Sequence, residues 1–101
     1  MPAVFPYLRR LVRLLRQRHK FTQEELAERA GLDYKHFQLL EIGKKPKPEL
    51  ATVEKLAKAL GVRPWILLCD DPNVIQTFTG IAPEALTKHL KQKPGRPPTP
   101  R

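Results

Sequence analysis

The chain has few of the residues that build covalent frameworks, metal centres or membrane spans. Its one cysteine, Cys69, excludes an internal disulfide framework and leaves no cysteine cluster for zinc. Its three histidines, His19, His36 and His89, are far apart in the sequence and form no ligand motif. No apolar run approaches the ~20 residues of a transmembrane helix. We therefore expect no metal, no cofactor and no membrane-spanning helix.

Signatures of catalysis are also missing. The sequence shows no paired carboxylates, no nucleophile–base arrangement and no phosphate-binding loop, so we expect that the protein is not an enzyme. Its 101 residues suit one small domain with a modest core. Arginines interrupt the N-terminal apolar stretch, which predicts no signal peptide and hence a cytoplasmic location.

What the chain does have is basic charge at its two ends. The formal net charge is +9, from 19 Lys and Arg against 10 Asp and Glu. Residues 1–20 carry six basic and no acidic side chains, whereas residues 21–68 carry eight basic and seven acidic side chains. From residue 91 onward there are four basic side chains and no acid. This imbalance suggests a polyanionic partner, either nucleic acid or an anionic membrane.

Residues 7–19 are predicted to form an amphipathic first helix. The apolar face consists of Leu8, Leu11, Val12 and Leu15, and arginines fill most of the remaining positions. A basic amphipathic helix could also lie on a membrane surface. We favour a core position, because the domain that follows needs this apolar face, and we therefore expect no membrane partner.

Residues 22–41 are predicted to form two short helices joined by a tight turn. Thr22 and Glu25 have the spacing of a capping box, so a helix should run from Gln23 to about Ala30. Gly31 supplies the left-handed residue that ends it. Asp33 then serves as a second N-cap. Two capped starts this close together give the helix-turn-helix layout.

Three separated segments carry a family resemblance: TQEELAERAGL, LLEIGKK and TVEKLAKALGV. With these in order, residues 8–68 resemble the Cro/C1-type (XRE-like) helix-turn-helix family of bacterial and phage transcriptional regulators. The resemblance implies an all-α, five-helix lambda-repressor-like DNA-binding domain, associated with the nucleoid. It also implies a structural ion pair between Arg16 and Glu41. A glutamine at the position of Gln23 contacts the DNA backbone in that family and steadies the recognition helix.

The resemblance places the second helix of the pair, about residues 34–42, in the DNA major groove. At roughly 100° per residue, Phe37 and Leu40 point inward. The predicted base-reading residues lie on the outer side and its flanks: Tyr34, Lys35, His36, Gln38 and Leu39. Leu39 and Ile42 are apolar on this side, which can instead mark a protein contact. Lys44, Lys45 and Lys47 follow in a loop, either against the DNA backbone or simply solvated.

The rest of the chain is predicted to hold four more helices and a tail. Residues 49–60 have an apolar stripe of Leu50, Val53, Leu56, Ala57 and Leu60, and residues 64–68 form a short fifth helix. Trp65 is either part of the core or part of a dimer surface. The domain boundaries that we expect are 1–69 for the helix-turn-helix domain, 70–92 for a short helical extension, and 93–101 for a disordered basic tail. The extension has two short helices, one with Val74, Ile75 and Phe78 on one face, and the other at 83–91. Within the tail, residues 94–97 partly match an AT-hook, but a plain flexible tail is favoured.

Two functions follow from these features. The first is sequence-specific binding of double-stranded DNA by a small bacterial or phage transcriptional regulator, expected to be a repressor and a homodimer. The alternative is an antitoxin, with a toxin as its protein partner, or another interaction module. An antitoxin of this kind often still binds DNA, so the two overlap.

Overall fold

The computed structural model describes residues 5–43 and 48–91, and for residues 88–91 it describes the backbone alone. Within these ranges the chain is all-α, as the sequence predicts. The seven helices are α1 (Leu8–Arg18), α2 (Gln23–Ala30), α3 (Tyr34–Glu41), α4 (Leu50–Leu60), α5 (Pro64–Leu68), α6 (Pro72–Thr79) and α7 (Pro83–Lys91). The expected tail, 93–101, lies outside the described residues. No helix in the described part is long and apolar enough to cross a membrane.

The caps around α2 and α3 set the helix-turn-helix geometry, and they confirm the sequence prediction. The Thr22 hydroxyl accepts from the backbone N–H of Glu25, and the Glu25 carboxylate accepts from the backbone N–H of Thr22. Gly31 ends α2 in the left-handed conformation, with φ of 70°. Asp33 then caps α3 by accepting from the backbone N–H of His36. Because both ends of the turn are fixed by local hydrogen bonds, α3 starts in a defined direction.

The first of two compact units ends at Asp70, and α1 to α5 pack around one core there. Phe37 of α3 is fully buried, and apolar side chains of the other four helices are buried as well: Leu11, Val12, Leu15, Leu26, Leu56 and Leu67. Helix α1 contacts α3, α4 and α5, while α2 contacts α3 and α4. The apolar face of α1 therefore belongs to the core, and its arginines surround that face.

The structure corrects one prediction about an apolar face. Leu50 was expected in the core stripe of α4, but its surface is 62% exposed. It is the first residue of the helix, one position after the N-cap Glu49, and Val53 is the first member of the stripe that neighbours cover. Of the three residues expected on one apolar face of α6, Ile75 is fully buried, Val74 is half-buried and Phe78 is exposed.

The second unit begins at Asp71 and contains α6 and α7, which contact each other. Asp71 caps α6 by accepting from the backbone N–H of Asn73, and Gly80 ends that helix in the left-handed conformation. Among the side chains described in this unit, up to residue 87, those of Ile75, Ile81 and Leu86 are buried. The extension expected from the sequence thus contains the two helices α6 and α7, and α6 is capped at both ends.

Candidate nucleic-acid interface

A buried ion pair joins the first helix to the end of the third. The Glu41 side chain is 2% exposed and that of Arg16 is 12% exposed. Arg16 Nε donates to Glu41 Oε2 at 2.9 Å, and Arg16 Nη2 donates to Glu41 Oε1 at 3.1 Å. The third guanidinium nitrogen, Nη1, donates to the carbonyl oxygen of Phe21 at 2.9 Å. Arg16 therefore fixes both the last turn of α3 and the segment that leads into α2.

The same carboxylate also holds the first turn of α2. Gln23 Nε2 donates to Glu41 Oε1, so Glu41 accepts hydrogen bonds from two helices at once. Gln23 is half-buried and is the first residue of α2. The amide retains one N–H donor and its carbonyl oxygen for other partners. Glu41 thus ties α1, α2 and α3 together beneath the outer face of α3.

The outer face of α3 carries most of the residues that the sequence assigned to base reading. Tyr34 and Lys35 are exposed, whereas His36, Gln38 and Leu39 are half-buried. Their arrangement follows from the burial of Phe37 and Leu40, which fixes the opposite face. Gln38 Nε2 donates to the Tyr34 hydroxyl at 3.2 Å, one helical turn away. The face therefore presents a cation, a phenol, an amide and an imidazole close together.

Ile42 extends this face with an apolar side chain. It is the C-cap of α3 and is 57% exposed. Helix α3 ends at Glu41, one residue earlier than the sequence suggests, so Ile42 lies just outside the helix. The three lysines expected beside it, Lys44, Lys45 and Lys47, lie outside the described residues.

Arg9 adds a cation at the end of α3. A Cβ atom built on Gly43 would lie 3.1 Å from Arg9 Nε, so the guanidinium passes directly over this glycine. Gly43 has a φ of 90°, a backbone conformation that residues other than glycine rarely adopt. Arg9 and Arg16 are seven positions apart on α1 and therefore share one helix face, directed toward the end of α3. The sequence shows Arg9 as one of several arginines on the first helix. Nothing in the sequence indicates that it lies beside Gly43.

A stacked cluster at the start of α2 was not expected from the sequence. The rings of His19 and Phe21 stack with centroids 5.1 Å apart, and the guanidinium carbon of Arg29 lies 4.5 Å from the Phe21 centroid. His19 Nε2 donates to the carbonyl oxygen of Leu60 at 2.9 Å. This bond satisfies a carbonyl in the last turn of α4, which has no partner within its own helix. The sequence spacing of these residues gives no signal for the contact.

Two capped helices, a left-handed glycine between them and an exposed polar face on the second define a helix-turn-helix domain. The comparison with known families agrees. A family model described as a helix-turn-helix domain matches residues 8–64, more than half of the chain, and the protein belongs to this family. Residues 8–64 lie within the range 8–68 that carries the sequence resemblance. Membership of the helix-turn-helix family supports DNA binding. No match was found among curated proteins or among solved structures.

Proposed function

We propose that the protein binds double-stranded DNA sequence-specifically and acts as a small transcriptional regulator, a repressor that works as a homodimer. The observation that carries this proposal is the exposed polar face of α3, held in place by the buried carboxylate of Glu41. The major groove of B-DNA admits an α-helix, and base edges there carry a distinguishable pattern of donors and acceptors. In a helix-turn-helix, residues of the second helix contact those edges while the first helix crosses the backbone.

Each side chain on the face has a matching base chemistry. Lys35 can donate to the O6 and N7 acceptors of guanine, and Gln38 can pair with N7 and N6 of adenine. Leu39 can pack on the methyl group of thymine. Tyr34 and His36 flank these positions and can donate to a base edge or to phosphate. Together the five residues form the proposed base-reading set.

Affinity for the DNA backbone comes from other residues. Gln23 lies at the start of α2, where the helix dipole and unpaired N–H groups favour phosphate. Its second amide N–H can donate to phosphate while the first stays bonded to Glu41. The lysines at 44, 45 and 47 are proposed to supply contacts that are independent of sequence and weaken with salt.

The exposed Ile42 favours a second candidate function. Together with the half-buried Leu39 it gives this side of α3 an apolar strip, and an exposed apolar strip can mark a protein contact. The alternative is that the chain is an antitoxin, or another interaction module, whose partner covers this end of α3. Such a protein would bind its partner through Ile42 and Leu39, and its affinity for the partner would fall when these residues become polar.

Selection of bound duplexes from a random DNA pool, at near-physiological salt, tests the first function. We expect an enriched palindrome whose half-sites lie one helical turn apart, as the symmetry of a helix-turn-helix dimer requires. Lys35→Ala combined with Gln38→Ala should abolish the enrichment. Lys55→Ala, which removes an exposed lysine from α4, is the matched control and should leave the selected site unchanged. Only weak, salt-sensitive binding without enrichment would contradict sequence-specific recognition.

The proposed lysine contacts have their own readout. Each phosphate contact that is lost should lower the slope of log affinity against log salt by about one unit. Replacing Lys44, Lys45 and Lys47 by alanine should therefore flatten the slope while the selected sequence stays the same. An unchanged slope would show that these lysines do not contact the backbone.

A further inference from the structure

We propose that Tyr34 is a positioning residue that presents the amide of Gln38 to adenine, so that the two side chains read one base as a unit. The inference rests on the proposed function and adds to it the base preference of one position. It starts from one contact on the outer face of α3, the hydrogen bond of 3.2 Å from Gln38 Nε2 to the Tyr34 hydroxyl.

The hydrogen bond decides which amide groups remain for DNA. A glutamine amide has two N–H donors and a carbonyl oxygen that accepts. One N–H of Gln38 is used by Tyr34, which leaves one donor and one acceptor. Adenine presents the complementary pair in the major groove, the N7 acceptor and the N6 amino donor. Guanine presents two acceptors there, so the carbonyl oxygen of the same amide would face O6 or N7 without a proton between them.

Tyr34 can hold the amide because its own position is restricted. The two residues are one turn apart on α3, the spacing at which side chains on a helix meet. A glutamine side chain loses considerable rotamer freedom when it is fixed, whereas a tyrosine has two χ angles and loses less. Asp33 caps the helix immediately before Tyr34, so the backbone that carries the ring is also fixed. The orientation of Gln38 is therefore prepared before DNA binds.

The Tyr34 hydroxyl keeps a donor of its own. Its oxygen accepts the hydrogen bond from Gln38, so its hydrogen remains available. The O–H can donate to a neighbouring phosphate oxygen or base acceptor. Such a neutral contact releases no counterion, so it should not change the salt dependence of binding. Loss of the hydroxyl should consequently appear in base preference and not in the salt slope.

The experiment uses the full chain in four forms: wild type, Tyr34→Phe, Gln38→Ala and the double variant. Selection from a random duplex pool first defines the site of the wild type and the position whose adenine preference Gln38→Ala removes. Dissociation constants are then measured for two duplexes that differ only by adenine or guanine there. Circular dichroism and the urea midpoint confirm that Tyr34→Phe is folded, since it removes only an exposed hydroxyl.

We expect the wild type to prefer adenine by roughly 5- to 150-fold, the range for one bidentate pair. Tyr34→Phe should reduce this ratio by about two- to tenfold, the worth of one neutral hydrogen bond, with an unchanged salt slope. In the Gln38→Ala background, Tyr34→Phe should have no further effect on the ratio. Lys35→Ala, the matched control on the same face, should change the preference at a different position.

Three outcomes would overturn the inference while leaving sequence-specific binding intact. The first is an adenine preference that Tyr34→Phe does not change. The second is a selected site in which Gln38→Ala removes no adenine preference. The third is an equal effect of Tyr34→Phe with and without Gln38, which would mean that Tyr34 reads a base independently. A wild type that enriches no sequence would overturn the proposed function and this inference together.

Discussion

Arg16→Met should be among the most destabilising single changes outside the apolar core. It removes both guanidinium contacts to Glu41, whose side chain is 2% exposed, and the contact to the Phe21 carbonyl. Removal of one partner from a buried ion pair costs about 3–5 kcal/mol, because the other charge stays buried. Gln23 still donates to Glu41, so the lower end of the range applies, and the lost bond to Phe21 adds about 1 kcal/mol. The expected loss is about 4 kcal/mol in the free energy of unfolding.

Urea denaturation followed by circular dichroism measures this loss. Small domains are stable by about 5–15 kcal/mol, so the variant should unfold at a much lower urea concentration. The melting temperature should fall by at least about 15 °C, since each kcal/mol corresponds to ~4–8 °C in a domain of this size. Arg13→Met removes the same group from an exposed position of the same helix and should cost less than about 1 kcal/mol.

A double variant separates the destabilisation caused by an unpaired buried charge from the destabilisation caused by lost packing. Arg16→Met combined with Glu41→Leu removes both charges, and replacement of a buried pair by apolar residues is often neutral or stabilising. The double variant should therefore be more stable than Arg16→Met alone. If Arg16→Met costs less than about 1 kcal/mol, as an exposed pair would, then water reaches Glu41 and the reasoning is refuted. A double variant whose loss equals the sum of the single losses would refute it as well.

Two local features of the helix-turn-helix give further expectations, each measured by urea denaturation. Thr22→Ala should cost about 1 kcal/mol through the lost cap, whereas Thr22→Ser should keep the hydrogen bond and most of the stability. Equal losses would mean that the cap contributes nothing. Gly43→Ala should cost more than Gly31→Ala, because both have positive φ but only at Gly43 would the new Cβ meet the Arg9 side chain. A left-handed alanine alone costs roughly 1–2 kcal/mol, so equal losses would show that Arg9 moves aside without cost.

The caps and the turn could be predicted because each depends on residues a few positions apart. Thr22, Glu25, Gly31 and Asp33 act on their own backbone neighbourhood, and the structure places all four as the sequence indicates. The bounds of α2, α5 and α7 agree with the prediction for the same reason. Helix caps, glycine and proline restrict the chain locally, whatever packs against it later.

Side-chain exposure was harder to predict, because it depends on where neighbouring helices end. Leu50 has the right periodicity for the core of α4, yet periodicity does not show that no neighbouring element covers the first residue of this helix. The bond from His19 to Leu60 joins residues 41 positions apart, and no local pattern indicates it. The contact between Tyr34 and Gln38 is different. Two polar residues four positions apart on one helix face are a visible signal, and it could have been found from the sequence.

Glu41 links the stability of the fold to the proposed recognition of DNA. Its carboxylate accepts from Arg16 of α1 and from Gln23 of α2, while its own backbone forms the last turn of α3. The direction of α3 and the orientation of the Gln23 amide thus depend on the same buried group. Because Gln23 has a second N–H for phosphate, one side chain can hold the recognition helix and contact the backbone beside it. A change at Glu41 should therefore lower both the affinity for the DNA backbone and the preference for a base sequence, whereas Tyr34→Phe should alter the base preference alone.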